Sequence, residues 1–245
     1  MMTEDTVVQR IKKWLEHNSF SIFLSGGKDS VATLLWVLDN IKNKNFNIIY
    51  VEVTGNTHEW CNYYVHYIIM QLGLEEKFLH LKRQDLDFFE CLKKWGIPLI
   101  HRYRWCEYTF KRDVYKQHAY KLHVLGLRKE ESKTRKHFQH YIYPSRKIPG
   151  AFIINPIFYW TKEQVIDYIK EHGIRMNPCY QRYGHGGNCM FCPYRTTEQI
   201  ILTLQDSYWR DKIIKALKEC DNKSPIGREI IKKWLDLAKQ RTLIK

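Results

Sequence analysis

Six residues, Ser25-Gly26-Gly27-Lys28-Asp29-Ser30, restrict what this chain can fold into more than any other segment. They follow a short apolar run at 20–24. They precede a pattern in which Val31, Leu34, Leu35, Leu38 and Ile41 recur at helical spacing. The order predicts a buried strand, a tight turn and a helix. Paired glycines let the backbone take positive φ and approach a ligand closely. Successive amides in such a turn, with the positive end of the next helix, form an anion site. Lys28 adds a full charge, Ser25 and Ser30 add hydroxyls, and Asp29 is placed to hold Mg2+ on bound phosphates. The loop is not a Walker A motif, which needs Gly-x4-Gly-Lys.

The rest of the chain continues the alternation. Strands are expected over 47–53, 77–81, 123–127 and 152–154. Helices are expected over 3–18, where Val7, Val8, Ile11, Trp14 and Leu15 share a side, and over 59–72 and 110–119. Another opens at Thr161, with Gln164 completing a capping box and Gly173 just past its end. This pattern predicts an α/β fold: a doubly wound, five-stranded parallel sheet with helices on both faces. Ligands of such sheets bind at the carboxyl ends of the strands. The loops 25–30, 54–59 and 126–132 are therefore expected on one rim. After about Met176 the pattern changes. Residues 177–193 are rich in Gly, Pro and Cys, and helices follow over 197–219 and 226–240. The expected division is a nucleotide-binding domain over 1–175, then a metal-binding loop and helical segment over 176–245.

Composition narrows the class. The 245 residues are 44% hydrophobic and 27% charged, ordinary for a globular protein. No apolar run approaches the ~20 residues of a membrane helix. The polar start at 1–10 is not a secretion signal. The cytosol is the expected compartment, with no membrane partner. Lys and Arg number 40 against 26 Asp and Glu, a formal charge of +14. That surplus attracts polyanions, so nucleotides and RNA are natural partners; a lysine-rich solvated surface gives the same count. Seven cysteines, an odd number, point away from a disulfide framework and towards metal ligation or thiol chemistry. Cys189-x-x-Cys192 is a two-ligand hook. Cys61 and Cys91 lie in helical patterns as small core residues. Basic and aromatic residues mix at 101–104 and 135–143, as a nucleic-acid path or as plain surface.

The 25–30 loop matches the pyrophosphate loop of the ATP pyrophosphatase superfamily. Three further segments resemble one branch of it, the phosphoadenosine phosphosulfate (PAPS) reductase family. The first is Gly126-Leu127-Arg128-Lys129-Glu130-Glu131-Ser132 with Arg135 beyond. The second runs through Asn155-Pro156-Ile157 and Trp160-Thr161 to Asn177-Pro178-Cys179-Tyr180. The third is Arg104-Trp105-Cys106 with Gly187-Asn188-Cys189-Met190-Phe191-Cys192-Pro193. The likeness spans about 20–193.

The resemblance implies ATP, PAPS or adenosine phosphosulfate (APS) as the nucleotide, with Mg2+. It implies that Ser25, Gly26, Gly27, Lys28, Asp29 and Ser30 hold phosphates. Gly126, Arg128, Glu131, Ser132 and Arg135 would face phosphate or sulfate, and Thr54 and Gly55 the nucleoside. Lys28, Asp29, Arg128 and Glu131 are the expected catalytic set. It implies a metal centre on Cys106, Cys179, Cys189 and Cys192, either a [4Fe–4S] cluster or Zn2+. Two chemistries stand open. One is adenylation coupled to sulfur transfer, with RNA as an acceptor. The other is thiol-dependent reduction of PAPS or APS to sulfite, for which Glu219-Cys220 keeps only part of the family's late cysteine element. A non-catalytic nucleotide or nucleic-acid binder is a third class. A sulfur- or electron-donor protein and a homodimer are further expected partners.

Overall fold

The computed structural model describes residues 4–99, 103–131 and 141–240. The chain forms two compact units. One comprises 1–51, 63–81 and 115–177, and the other 52–62, 82–114 and 178–245. No helix among the described residues is long and apolar enough to cross a membrane.

The first unit is built on a mostly parallel sheet. In chain order its elements are α1 (Glu4–His17), β1 (Phe20–Phe23), α2 (Lys28–Asn40), β2 (Phe46–Glu52), α3 (Glu59–Gln71, from Tyr63 onwards) and β3 (Phe78–Lys82). β4 (Leu122–Val124), β5 (Ile142–Pro144) and β6 (Phe152–Ile154) follow. The strand order is β3-β2-β1-β4-β6-β5. β1 lies parallel between β2 and β4, with Phe20 opposite both Phe46 and Leu122. β6 is parallel to β4, while β5 runs antiparallel to β6. The sheet therefore has six strands, not the five expected, and the added edge strand is the antiparallel one. β5 is three residues long, too short to carry a period in sequence.

Burial explains the placement. Phe20, Ile22 and Leu24 are fully or almost fully buried, as the apolar run required. α1 lays Val7, Ile11 and Leu15 inwards, each at most 3% exposed. The strand order turns back between β1 and β4, so a crevice is expected past their carboxyl ends. The loops that leave those two strands are 25–30 and 125–131.

The second unit is helical: α4 (Phe88–Trp95), short α5 (Trp105–Glu107), a π-helical turn (Tyr108–Arg112), then α8 (Cys179–Tyr183), α9 (Thr197–Gln205), α10 (Ser207–Lys218) and α11 (Pro225–Gln240). The intervening α6 (Asp113–Tyr115) and α7 (Lys162–Glu171) lie before α8 in chain order, and α7 belongs to the first unit. Phe88, Trp105, Phe110, Phe191, Trp209 and Trp234 share one apolar cluster in the second unit. The single helix expected over 197–219 is two helices. Asp206 breaks it by leaving helical geometry, at φ −78° and ψ 118°, and by accepting from Trp209 N to start α10.

Candidate functional site

The 25–30 loop is a ring of hydrogen bonds centred on Ser30. The Ser30 hydroxyl accepts from Ser25 N at 3.0 Å and donates to the Gly27 carbonyl at 2.8 Å. The Ser25 hydroxyl lies 3.1 Å from it. Gly26 takes φ 73°, a left-handed turn that side chains resist. No side chain caps the start of α2 at Gly27. The first amides of a helix have no carbonyl partner within it, so this end offers donors to an anion.

The segment after β4 presses against the same turn. A Cβ on Gly126 would sit 2.4 Å from the Asp29 carbonyl oxygen. Only glycine allows that approach, and it brings Arg128 to Asp29. The Arg128 side chain is 4% exposed and pairs with Asp29, Glu130 and, at 3.9 Å, Glu131. Burial opposes its charge, but Asp29 and Glu130 more than offset that, so the guanidinium is held protonated. The other Asp29 oxygen pairs with Lys28. Lys28 and Arg128 thus share one carboxylate. Arg128 N also donates to Glu131 Oε2 at 3.4 Å.

Asn177 contributes what residue-by-residue reading of the motif did not assign. Its buried amide donates to the Gly26 carbonyl at 2.8 Å and so fixes the peptide that orients the loop. The signal in sequence was the Asn-Pro pair itself.

Thr54 and Gly55 belong to the second unit. The Thr54 hydroxyl donates to the Arg83 carbonyl, and Thr54 O accepts from Phe88 N at 2.9 Å. Gly55 O accepts from Lys212 Nζ at 2.8 Å, and a Cβ on Gly55 would overlap the Asp87 carboxylate. Both residues are thereby tied to local structure. Next to them Gly55, Thr57, His58, Asp206, Trp209 and Lys212 help line a cavity of about 450 Å³. Behind its lining residue His58, Trp60 N donates to His58 Nδ1, and Tyr183 OH bridges His58 Nε2 and Asp206.

Of the four expected metal ligands, three come together. Cys106, Cys189 and Cys192 line one cavity of about 30 Å³ with Arg104, Glu107 and Lys111. Burial pushes the Cys106 thiol up to about 11 and raises that of Cys192. Cations stand close by: Lys111 reaches Asn188 Oδ1 at 3.4 Å, and Arg195 donates to the Cys189 carbonyl at 2.7 Å. Cys179 is not in that lining. It begins α8 behind Pro178, and its sulfur packs against Gly187 and Cys61. His58 N holds the Gly187 carbonyl at 2.9 Å, which fixes that packing.

A family model for the phosphoadenosine phosphosulfate reductase domain matches residues 19–196. The chain belongs to this family. A curated relative, an uncharacterized 37.8 kDa protein of Escherichia phage 186, is 24% identical over 222 residues. That match covers 70% of this chain and 66% of the phage protein, so the chain spans slightly under two thirds of its relative. Among solved structures, the PAPS reductase of Candida auris in its phosphate complex has a TM-score of 0.50 at 17% identity, covering 74% of this chain and 92% of that one. The likeness is one of fold. The U34-tRNA thiolase NcsA of Methanococcus maripaludis, with its [4Fe–4S] cluster, gives a TM-score of 0.44 at 13% identity over 96% and 80% of the two chains, too distant to bear on the site.

Within this PAPS reductase family member, Ser132 and Arg135 lie outside the described residues. The four-cysteine set does not fit one metal. Cys179 is placed elsewhere, and no group of three or more His, Cys, Asp or Glu among the described residues stands at metal-holding spacing. Mg2+ likewise has no vacant carboxylate at Asp29, whose two oxygens face Arg128 and Lys28.

Proposed function

We propose that this PAPS reductase family member binds ATP at the 25–30 loop, adenylates an acceptor and releases pyrophosphate, as the activating half of a sulfur transfer, with RNA as the acceptor class. The observation that carries this is the uncapped start of α2 beside Gly26, Lys28 and the buried Arg128. In the step, an acceptor oxygen bonds to the α-phosphorus. The α–β bridging P–O bond breaks, and its electron pair leaves on pyrophosphate. Ser25, Gly26, Gly27 and Ser30 cradle that leaving group. Lys28 and Arg128 exchange Asp29 for phosphate oxygens and stabilise the growing charge. Asp29, so released, would hold the Mg2+ of ATP–Mg2+, which would supply charge neutralisation on the phosphates. Glu131 positions Arg128, and Gly126 lets the segment after β4 close on the loop. A sulfide-level donor then attacks the carbon bearing the adenylated oxygen: a C–S bond forms, the C–O bond breaks, and its electron pair leaves on AMP.

A second reading is reduction of PAPS or APS to sulfite, favoured by the family's description and by the fold of the Candida enzyme. It needs a nucleophilic thiol. Cys220 donates to the Leu92 carbonyl at 3.2 Å, and burial with Asp221 pushes it up to about 11, which suits a structural thiol.

Calorimetric titration with ATP–Mg2+ and with PAPS, followed by assays of pyrophosphate, AMP and sulfite, separates the two. ATP binding weakened about tenfold or more by Lys28→Ala, and pyrophosphate release untouched by Cys220→Ser, is the expected result. Sulfite made from PAPS and lost in Cys220→Ser overturns the adenylation reading. Metal content belongs in the same preparation. Iron or zinc retained by Cys179→Ser and lost by Cys189→Ser would tie the metal to the Cys106, Cys189 and Cys192 cavity.

A further inference from the structure

A second anion-seeking surface lies at the other end of the sheet. Arg10, Lys13, Trp14, His17, Lys121 and Phe152 line most of a groove of about 650 Å³. Phe20, Leu122 and Phe152 are the first residues of β1, β4 and β6, in mutual register. The groove therefore sits at the amino ends of the strands, opposite the 25–30 loop that follows the carboxyl end of β1.

Four of the lining residues are basic and none is acidic. Arg10, Lys13, His17 and Lys121 are all exposed. Among the described residues, Arg10, Lys13 and Lys121 have no ion-pair partner, whereas Lys28 and Arg128 at the phosphate loop are both paired. Like charges gathered without a counter-charge repel, and an incoming polyanion relieves that repulsion. The groove is formed by the end of α1, where bare carbonyls would repel an anion. Two of them are occupied: His17 Nδ1 lies 2.8 Å from Lys13 O, and Asn18 Nδ2 donates to Trp14 O at 2.9 Å. Trp14 rests edge-on against Phe152, with centroids 5.1 Å apart, which fixes the indole at the groove wall.

We propose that this groove binds single-stranded nucleic acid: phosphates along Arg10, Lys13 and Lys121, with one unstacked base on Trp14. Exposed cations spaced along an open groove suit a repeating phosphate chain better than a single small anion, which calls for a closed fork of donors. A ring set in a concave wall reaches a splayed base and not a paired one. The net charge of +14 adds long-range attraction for the same ligand. This inference stands apart from the adenylation reading, because it uses none of the loop residues.

The test is fluorescence anisotropy of a short labelled oligouridylate over a range of salt concentrations. The double variant Arg10→Gln/Lys121→Gln removes two surface charges, and its fold is checked by circular dichroism. It is expected to bind about tenfold more weakly at low salt. Its log–log salt slope should fall by about 1.4, since each phosphate contact on a single strand contributes about 0.7. Trp14→Ala should lose about fivefold or more. Lys28→Ala should leave oligonucleotide binding unchanged while ATP binding falls, so failure of one reading is told from failure of the other. Unchanged affinity and slope in the double variant would overturn the proposal. So would a duplex that binds as tightly as the single strand, or uridine monophosphate that competes as well as the oligomer.

Discussion

A methyl group on Gly126 would lie 2.4 Å from Asp29 O and 2.8 Å from Ser30 N. Both are backbone atoms of the first turn of α2, so neither can swing away. Gly126→Ala is expected to cost about 1–3 kcal/mol and to abolish ATP binding, read by urea unfolding and by calorimetry. Asn177→Ala should act on the same loop from the other side. It strips the Gly26 carbonyl of its buried donor, a loss of about 1–3 kcal/mol, and should weaken ATP with it. An Asn177→Ala protein with wild-type stability and affinity would show that the loop holds itself. The turn was readable from sequence because paired glycines between an apolar run and a helical pattern predict a strand, a tight turn and a helix. Gly126 and Arg128 were readable as a motif, but not the backbone contact that explains the glycine. Cys179 lies apart from the other three cysteines for a physical reason. Spacing to Cys189 says how far the chain can reach, not that α8 turns the sulfur towards Gly187 and Cys61.

Elements were legible wherever their ends carry chemistry of their own. The Thr161–Gln164 capping box stands as expected, with Thr161 Oγ1 accepting from Gln164 N at 3.2 Å and Gln164 Oε1 accepting from Thr161 N at 2.7 Å. Thr161→Ala should cost about 1 kcal/mol in a thermal melt. The break at Asp206 was hidden, because the apolar pattern runs through it without a glycine or proline. Asp206 does more than cap α10: Tyr183 OH and Arg182 also donate to it, at 2.7 and 3.1 Å. Asp206→Ala is therefore expected to destabilise clearly more than Thr161→Ala, and Asp206→Asn to recover part of the difference. Equal melts for the two alanine variants would mean that the bonds from Tyr183 and Arg182 contribute nothing. The helix expected over 110–119 stands only in its first part: a π-helical turn at Tyr108–Arg112 runs into α6, which ends at Tyr115.

At the scale of the whole molecule, acid should be more damaging than the carboxylates alone would make it. Burial lowers His58, His123 and His185 below 6.5, and His185 falls to about 2. The unfolded chain takes up protons that these folded imidazoles refuse. Stability is therefore full above pH 6.5 and declines as the pH falls below it, by about 1.4 kcal/mol per pH unit for each imidazole, until its folded value is reached. Urea unfolding at a series of pH values, with His185→Gln as the flatter comparison, checks the sign and the slope. The division into two units was the least legible feature, since composition marks the change near Met176 but not which earlier segments join the later ones. The second unit packs Phe88 and Trp105 in one cluster with Trp209 and Trp234. On a translating ribosome, α4 would emerge long before those tryptophans exist. The first unit would likewise wait for β4 and Asn177 before β1 gained its second neighbour and its loop its brace. For most of synthesis the chain is thus a string of apolar segments without partners, and chaperones that hold nascent chains should find their binding sites in 82–114.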